Sequence, residues 1–379
     1  MSKNLLFGSL FLLFFYSCQS DHKKTVSENI TTQISVEKEI KYAKGFSIQQ
    51  FDGYKVITLK NPWVGESTSF DYVLYSEEKP NNVEGDVFVK TPIKSIACMS
   101  LTHVAFLEKL GLINSIVALS GCEYVSSASV NNLIQSKSIK EIGHEQNINY
   151  EMLVEEAPSL IMAYGIDSKS NNYINKIKTL GLEVVLNAEY METHPLGKAE
   201  WIKFVAAFYN QNEKAGTIFN EIEKEYLNLL TLTQNIKKPT VFVGMPWNGA
   251  WYVPGGKSFQ AQLFNDAGAE YLWLDNDEKG SLVKAKEIIL DQAYEADFWL
   301  NQNSYRSIDA VVVYDENFKG FKAVKDKQLF NNDKRVNAKS GNDYWESGVI
   351  NPHIVLKDLI SIFHPRLLEH QLYYYRKLE

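Results

Sequence analysis

The chain is short of basic charge. Its 379 residues hold 39 Lys and Arg against 46 Asp and Glu, a formal net charge of -7. A nucleic-acid partner needs a basic surface to meet phosphate, so that class is excluded. Lysines and acids are intermixed along most of the sequence, which leaves no polybasic patch for an anionic membrane. Histidine is scarce, seven in all. His144, His194, His353, His364 and His370 show none of the paired spacing a zinc site requires. Also absent are a metalloprotease helix, a nucleophile elbow and a clustered Ser/His/Asp set, so hydrolase chemistry has no support. "PGGKS" at Pro254–Ser258 ends like a phosphate loop, but Trp251 stands where such a loop needs its first glycine. The motif reads instead as a glycine turn before a helix starting near Ser258.

Long apolar runs and cysteines are equally few. Leu5–Phe15 is too short to span a bilayer comfortably. With Lys3 ahead of it, Cys18 at its end and the polar run "QSDHKKTVSE" behind, it reads as a bacterial lipoprotein signal, cleaved before Cys18 with lipidation of that thiol. A plain secretory signal with an incidental cysteine is the alternative. Either way the mature protein works outside the cytoplasm. Two cysteines then remain, Cys98 and Cys122, in a disulfide-permissive compartment. Both sit at ends of apolar, strand-like segments. Neighbouring parallel strands would bring those ends about 5 Å apart, within disulfide reach. Such a bridge would contribute roughly 3 kcal/mol on the chain-entropy model; two buried free thiols are the other reading.

What is present is an ordinary globular composition, 45% hydrophobic and 22% charged. The length exceeds a single core, so two domains are the default. Seven Trp, 21 Tyr and 20 Phe hint at an aromatic-lined binding surface. After the leader (1–18), residues 19–40 are polar and read as a flexible tether. A first lobe spans 41–195. It opens with an antiparallel decoration ("YKVITLKNPW", "FDYVLYSEE") and passes into strand–helix alternation. "IKSIACM" is a strand, "SLTHVAFLEKLG" a helix capped by Ser100 and stopped at Gly111, "INSIVALSG" a strand. In "INYEMLVEEAPSLIMAYG", Asn149 caps a helix and Ile148 staples to Leu153 before another strand. Residues 196–236 hold helical apolar spacing, and about fourteen residues of helix reach roughly 21 Å, enough to join two lobes. From 237 to 379 the α/β rhythm resumes through "TVFVGMPW", "SFQAQLFNDAG", "ADFWLNQ", "AVVVYD" and a closing helix, "INPHIVLKDLISIFHPRLL". The fold class is α/β: two Rossmann-like lobes of parallel sheet, one helical joint and a cleft between them.

These segments resemble class III substrate-binding proteins of ABC importers, which capture ferric siderophores, vitamin B12 and haem. The similar stretches are "KSIACMSLTHVAFLEKLGLINSIVALSG", "IGHEQNINYEMLVEEAPSLIMA", "YVPGGKSFQAQLFNDAGAEYLW" and "IFHPRLL", over about Ile93 to Leu368. The resemblance implies a monomer with no cofactor of its own and no catalysis, lipid-anchored and facing the periplasm. It also implies an ABC permease–ATPase partner in the inner membrane. One exposed glutamate per lobe, Glu151 and Glu287, would dock on arginines of that two-fold permease. Each acid equally suits the positive end of its own helix. His103 stands where zinc-binding relatives place a ligand, but with no companions it reads as structural.

Strand ends in α/β sheets face the ligand crevice. On that rule Trp247, Trp251 and Tyr252 of the second lobe, Tyr124 and Tyr164 of the first, and Tyr344 and Trp345 form the candidate grip. Arg306 would meet an anionic group. The expected ligand is a ferric siderophore, with cobalamin or haem as the alternative. A two-lobed metal chelatase would need an acid–histidine pair facing across the cleft, which the sequence does not display. A scavenging surface lipoprotein without a permease is the third reading.

Overall fold

The computed structural model describes residues 36–37, 40–65, 67–144, 147–165 and 171–379. The leader, Cys18 and nearly all of the tether lie outside the described residues.

The chain enters through a sheet of five strands in sequence order: β1 (Val36–Glu37), β2 (Phe46–Gln50), β3 (Tyr54–Lys60), β4 (Ser69–Tyr75) and β5 (Val87–Lys90). Alternation sends Phe46, Ile48, Ile57 and Leu59 inward. The sheet departs from the expected antiparallel decoration at its last pair. There the 76–86 connection carries the chain back, so that β5 runs parallel to β4.

The first α/β lobe is β6 (Ile96–Cys98), α1 (Leu101–Lys109), β7 (Ile116–Leu119), α2 (Ala128–Gln135), β8 (Lys140–Glu141), α3 (Tyr150–Glu156), β9 (Leu160–Ala163), α4 (Asn171–Thr179) and β10 (Val184–Leu186). Its strands lie in the order β10-β9-β6-β7-β8, all parallel. β6, β9 and β10 are buried at every position, as strands covered on both faces must be. The caps fall where expected. Ser100 Oγ accepts from Thr102 N at 3.3 Å, and Asn149 Oδ1 accepts from Met152 N at 3.0 Å. Ile148 and Leu153 are both buried beside the second cap. β6 and β7 do pair, with Cys98 opposite Leu119, yet both cysteines are free thiols. Cys122 lies past the strand in the following turn, where its Sγ donates to Leu119 O at 3.8 Å.

The joint between lobes is not one helical span but three pieces: α5 (Pro195–Glu200), α6 (Ile202–Ala207) and α7 (Asn212–Leu232). Trp201 sits between the first two with ψ near -10°, and Asn210 takes a left-handed φ of 56° that turns the chain before α7. From Pro195 to Phe208 nearly every side chain is buried, Trp201, Phe204 and Phe208 completely. Two acids are buried with them. Glu200 accepts the backbone N–H groups of Lys41, Tyr42 and Ala43 at 2.9, 2.7 and 2.9 Å. Glu192 accepts those of Lys44 and Gly45, both at 2.8 Å, and the indole of Trp201 at 3.1 Å.

The second lobe begins with β11 (Thr240–Val243), β12 (Pro246–Trp247), β13 (Ala250–Pro254), α8 (Phe259–Asp266), β14 (Glu270–Tyr271), β15 (Ser281–Lys284) and α9 (Lys286–Gln292). It continues through β16 (Phe298–Leu300), α10 (Ile308–Tyr314), α11 (Lys322–Lys325), β17 (Leu329–Asn331), α12 (Asp343–Glu346), α13 (Pro352–Phe363) and β18 (Arg376–Lys377). The main sheet has the order β14-β11-β16-β17-β18, parallel except for β18. A separate antiparallel sheet, β12-β13-β15, stands beside it. The β-branched run before Tyr314 is helix, started by Ser307 Oγ accepting from Ala310 N at 3.1 Å.

A strap from the second lobe, residues 337–346, crosses to the first. Asn337 Nδ2 donates to the carbonyls of Glu123 and Val125, both at 3.0 Å. Glu346 accepts from Ser126 N at 2.7 Å and Ser127 N at 3.3 Å. A Cβ on Gly341 would lie 1.9 Å from Tyr124 O, so only glycine permits the approach. Burial, with the Asp343 charge adding to it, pushes the Glu346 carboxyl up to about 7 against those N–H bonds.

Two outcomes follow from these buried acids. Glu200→Ala strands three backbone donors and Lys203, and should cost about 2–4 kcal/mol, read as a fall of about 5 °C in thermal midpoint. For Glu346 the raised folded pKa has a definite sign. As pH climbs from the ordinary carboxylate range to about 7, the unfolded chain loses its proton first, so stability falls across that window and then levels. Glu346→Gln should therefore narrow the difference in thermal midpoint between pH 5 and pH 8; an unchanged difference assigns the slope to other groups.

Candidate functional site

Parallel sheets bind ligands beyond their carboxyl ends, where the strand order reverses. The first lobe reverses between β6 and β9, the second between β11 and β16. A cavity opens at each place. One, of about 360 Å³, is lined by Ser100, Gly121, Tyr124, His144 and Tyr164 of the first lobe and by the strap. The other, of about 450 Å³, is lined by Gly244, Tyr252, Asn301, Arg306 and Asn332 of the second lobe, again with the strap. A third, of about 260 Å³, lies toward the joint, against α5, α8 and α13. Trp345 lines all three and is 54% exposed.

Most of the sequence-predicted residues meet here. Tyr124, Tyr164, Tyr252, Arg306, Tyr344 and Trp345 each line at least one cavity. Arg306 is exposed and forms no ion pair with a described residue. Tyr344 is mostly packing: its ring meets Trp345, Tyr374 and Tyr375 at centroid distances of 4.8, 5.9 and 5.8 Å, and burial pushes its hydroxyl up to about 12. Two residues do not fit the grip. Trp251 is fully buried, its Nε1 donating to Val243 O at 2.9 Å among Trp299 and Phe318. Trp247 is 62% exposed, with its ring 6.3 Å from Tyr252, and lines none of the three cavities. The cause is period-2 alternation: the stretch is a hairpin rather than a loop, so Trp251 and Val253 face inward while Tyr252 faces out.

Sequence reasoning missed the polar lining. Asn301, Asn303, Asn332 and Asn342 all line the second-lobe cavity, and the buried Asn332 Nδ2 has no hydrogen-bond partner among the described residues. "NQN" directly follows β16 and "NND" begins on the last residue of β17, so the strand-end rule applied to amides as well as aromatics would have found three of the four. His144 and Glu346 line the first-lobe cavity from opposite lobes, a pairing not visible in sequence. Glu346 is committed to Ser126 and Ser127, and His144 Nδ1 lies 3.2 Å from Ser120 Oγ.

His103 is wholly buried, and burial drives its pKa down to about 3. Among the described residues no three His, Cys, Asp or Glu side chains converge as a metal site. Gly255 and Gly256 press on the backbone of Glu278 and Leu274, where a Cβ would come within 2.2 and 2.1 Å; close packing accounts for the phosphate-loop look-alike. Glu151 and Glu287 are both exposed in the first turn of α3 and α9. Those helices hold equivalent places, each leading into the strand beside its lobe's first strand. No described helix is long and apolar enough to cross a membrane.

The comparisons with known proteins agree with this architecture. A periplasmic binding protein family model matches residues 96–336. An uncharacterized lipoprotein of Methanocaldococcus jannaschii is 28% identical, covering 96% of this chain and 94% of its own. Among solved structures, a possible iron-binding (periplasmic solute-binding) protein of Staphylococcus epidermidis aligns with TM-score 0.56 at 19% identity, over 72% of this chain and 100% of that one. A protein of an ABC-type Fe3+-hydroxamate transport system from Saccharomonospora viridis aligns with TM-score 0.55 at 17% identity, over 81% and 98%. At these identities the likeness is one of fold. With two α/β lobes, a helical joint and a cleft at both switch points, the chain belongs to the periplasmic binding protein family.

Proposed function

We propose that the protein captures a ferric siderophore or related metal chelate outside the cytoplasm, held to the membrane by a lipid on Cys18, and passes it to an ABC permease. The observation that carries the reading is the cleft itself: cavities at both switch points meet at the half-exposed Trp345. Tyr124, Tyr164 and Tyr252 add aromatic faces, and the asparagines offer amide donors and acceptors. Charge narrows the ligand. Asp333 shares the second-lobe cavity with Arg306 and is already bonded to Arg376 at 2.9 Å, while Glu346 lines the first-lobe cavity. Such a lining favours a chelate near neutral, such as a ferric hydroxamate, over a multiply anionic catecholate. A flat corrin or porphyrin is the second reading, favoured by the Trp345 face. Chemistry on the ligand is not proposed, since Glu346 is tied to backbone. Glu151 and Glu287, matched between lobes, are the docking acids of this reading.

Titrating the mature protein with a ferric hydroxamate, a ferric catecholate, cobalamin and haem should quench tryptophan fluorescence at micromolar or lower concentration for one class. Trp345→Ala should weaken that binding about tenfold or more. Silence across the panel overturns the reading. Charge reversal by Glu151→Arg with Glu287→Arg should abolish uptake in cells and leave chelate affinity within about twofold; undiminished uptake points to a scavenger without a permease.

A further inference from the structure

The cavity toward the joint differs in chemistry from the two at the strand ends. Its walls are Phe259 and Leu263 of α8, Val349, and Val355 of α13, with Trp345 where it meets the cleft. Polar groups are few. Lys198 Nζ donates to Glu189 O at 3.1 Å and stands 4.7 Å from the centroid of the Phe259 ring. An ammonium has three donors, so capacity remains. The Glu189 carboxyl lines the same space and offsets the lysine charge. Burial pulls the Lys198 pKa down and pushes the Glu189 pKa up, in both cases toward the uncharged form.

We propose that this chamber receives a neutral, apolar arm of the cleft ligand, with one carbonyl of that arm accepting from the Lys198 ammonium. The inference rests on the chelate-capture reading above. Three observations select the occupant. Trp345 lines the chamber and both cleft cavities, so a ligand seated in the cleft can extend past it. The opposed charges of Lys198 and Glu189 disfavour an arm of either sign. Size agrees as well: an apolar cavity of about 150 Å³ holds benzene, so the 260 Å³ here suits a chain of roughly six to eight carbons.

The test uses two ferric hydroxamates that share one chelating head, one of them carrying an octanoyl amide. Hexanamide alone serves as a probe of the chamber. The octanoyl chelate should bind the mature protein about tenfold or more tightly than its armless partner. Leu263→Trp, which fills the chamber, should erase that advantage and leave the armless chelate unaffected. Lys198→Met should erase part of it. Hexanamide should show ligand-observed NMR contacts with the wild type and none with Leu263→Trp. Equal affinity of the two chelates for the wild type overturns the proposal, as does an advantage that survives Leu263→Trp. If neither chelate binds, the chelate reading falls and hexanamide decides the chamber on its own: no contact with the wild type overturns it. Should Leu263→Trp fail to fold by circular dichroism, Val355→Phe narrows the same space from the opposite wall.

Discussion

The separation of the two sheets is held by a stretch of chain with almost no polar face. Between Pro195 and Phe208 the side chains of Leu196, Trp201, Ile202, Phe204, Val205 and Phe208 are all fully buried. A helix that is apolar all round belongs inside a core, and each large side chain so placed contributes about 1.5–3 kcal/mol. Sliding or turning this piece would bring several of them back to water at once. The cleft, which lies between the sheets it separates, inherits its width from that burial.

Buried acids do the remaining fastening, and they do it in one way. Glu200 collects the N–H groups of residues 41–43, Glu192 those of 44 and 45, and Asp358 those of 373–375. An ionised carboxylate offers about four acceptor sites, enough for a short run of main chain that belongs to no helix or sheet. Irregular segments thereby satisfy the donors that burial would otherwise strand. Glu346 takes two such donors beside a neighbouring aspartate, and burial raises its carboxyl to about 7. That acid lines the first-lobe cavity.

Much of this was legible in the sequence because it depends on local chemistry. Short, wholly apolar segments such as "LIMA" and "VVL" announce strands covered on both faces, and Ser100, Asn149 and Ser258 announce helix starts. Asn149 likewise places Glu151 in the first turn of α3, whereas Ala285 gives no such signal ahead of Glu287. What failed depends on tertiary context. The joint reads as continuous helix because Trp201 and Asn210 carry no strong breaking signal; the breaks come from packing and from a left-handed turn that asparagine merely tolerates. Trp251 and Tyr252 look alike in sequence, and only strand pairing sends one to the core and the other to the cleft. The Cys98–Cys122 pairing assumed two strand ends, and the second cysteine sits past its strand.

The strap between lobes touches its partner through carbonyls and amides: Asn337 on Glu123 O and Val125 O, Glu346 on Ser126 N and Ser127 N. None of those contacts asks what side chain the first lobe carries there. Positions 123 and 124 can therefore drift without loosening the bridge, as long as the buried Val125 and the α2 cap Ser127 keep the backbone path and Gly341 stays small. Relatives could reshape one rim of the binding mouth for a new cargo while inheriting the same closure, so diversification of ligand and preservation of architecture need not compete.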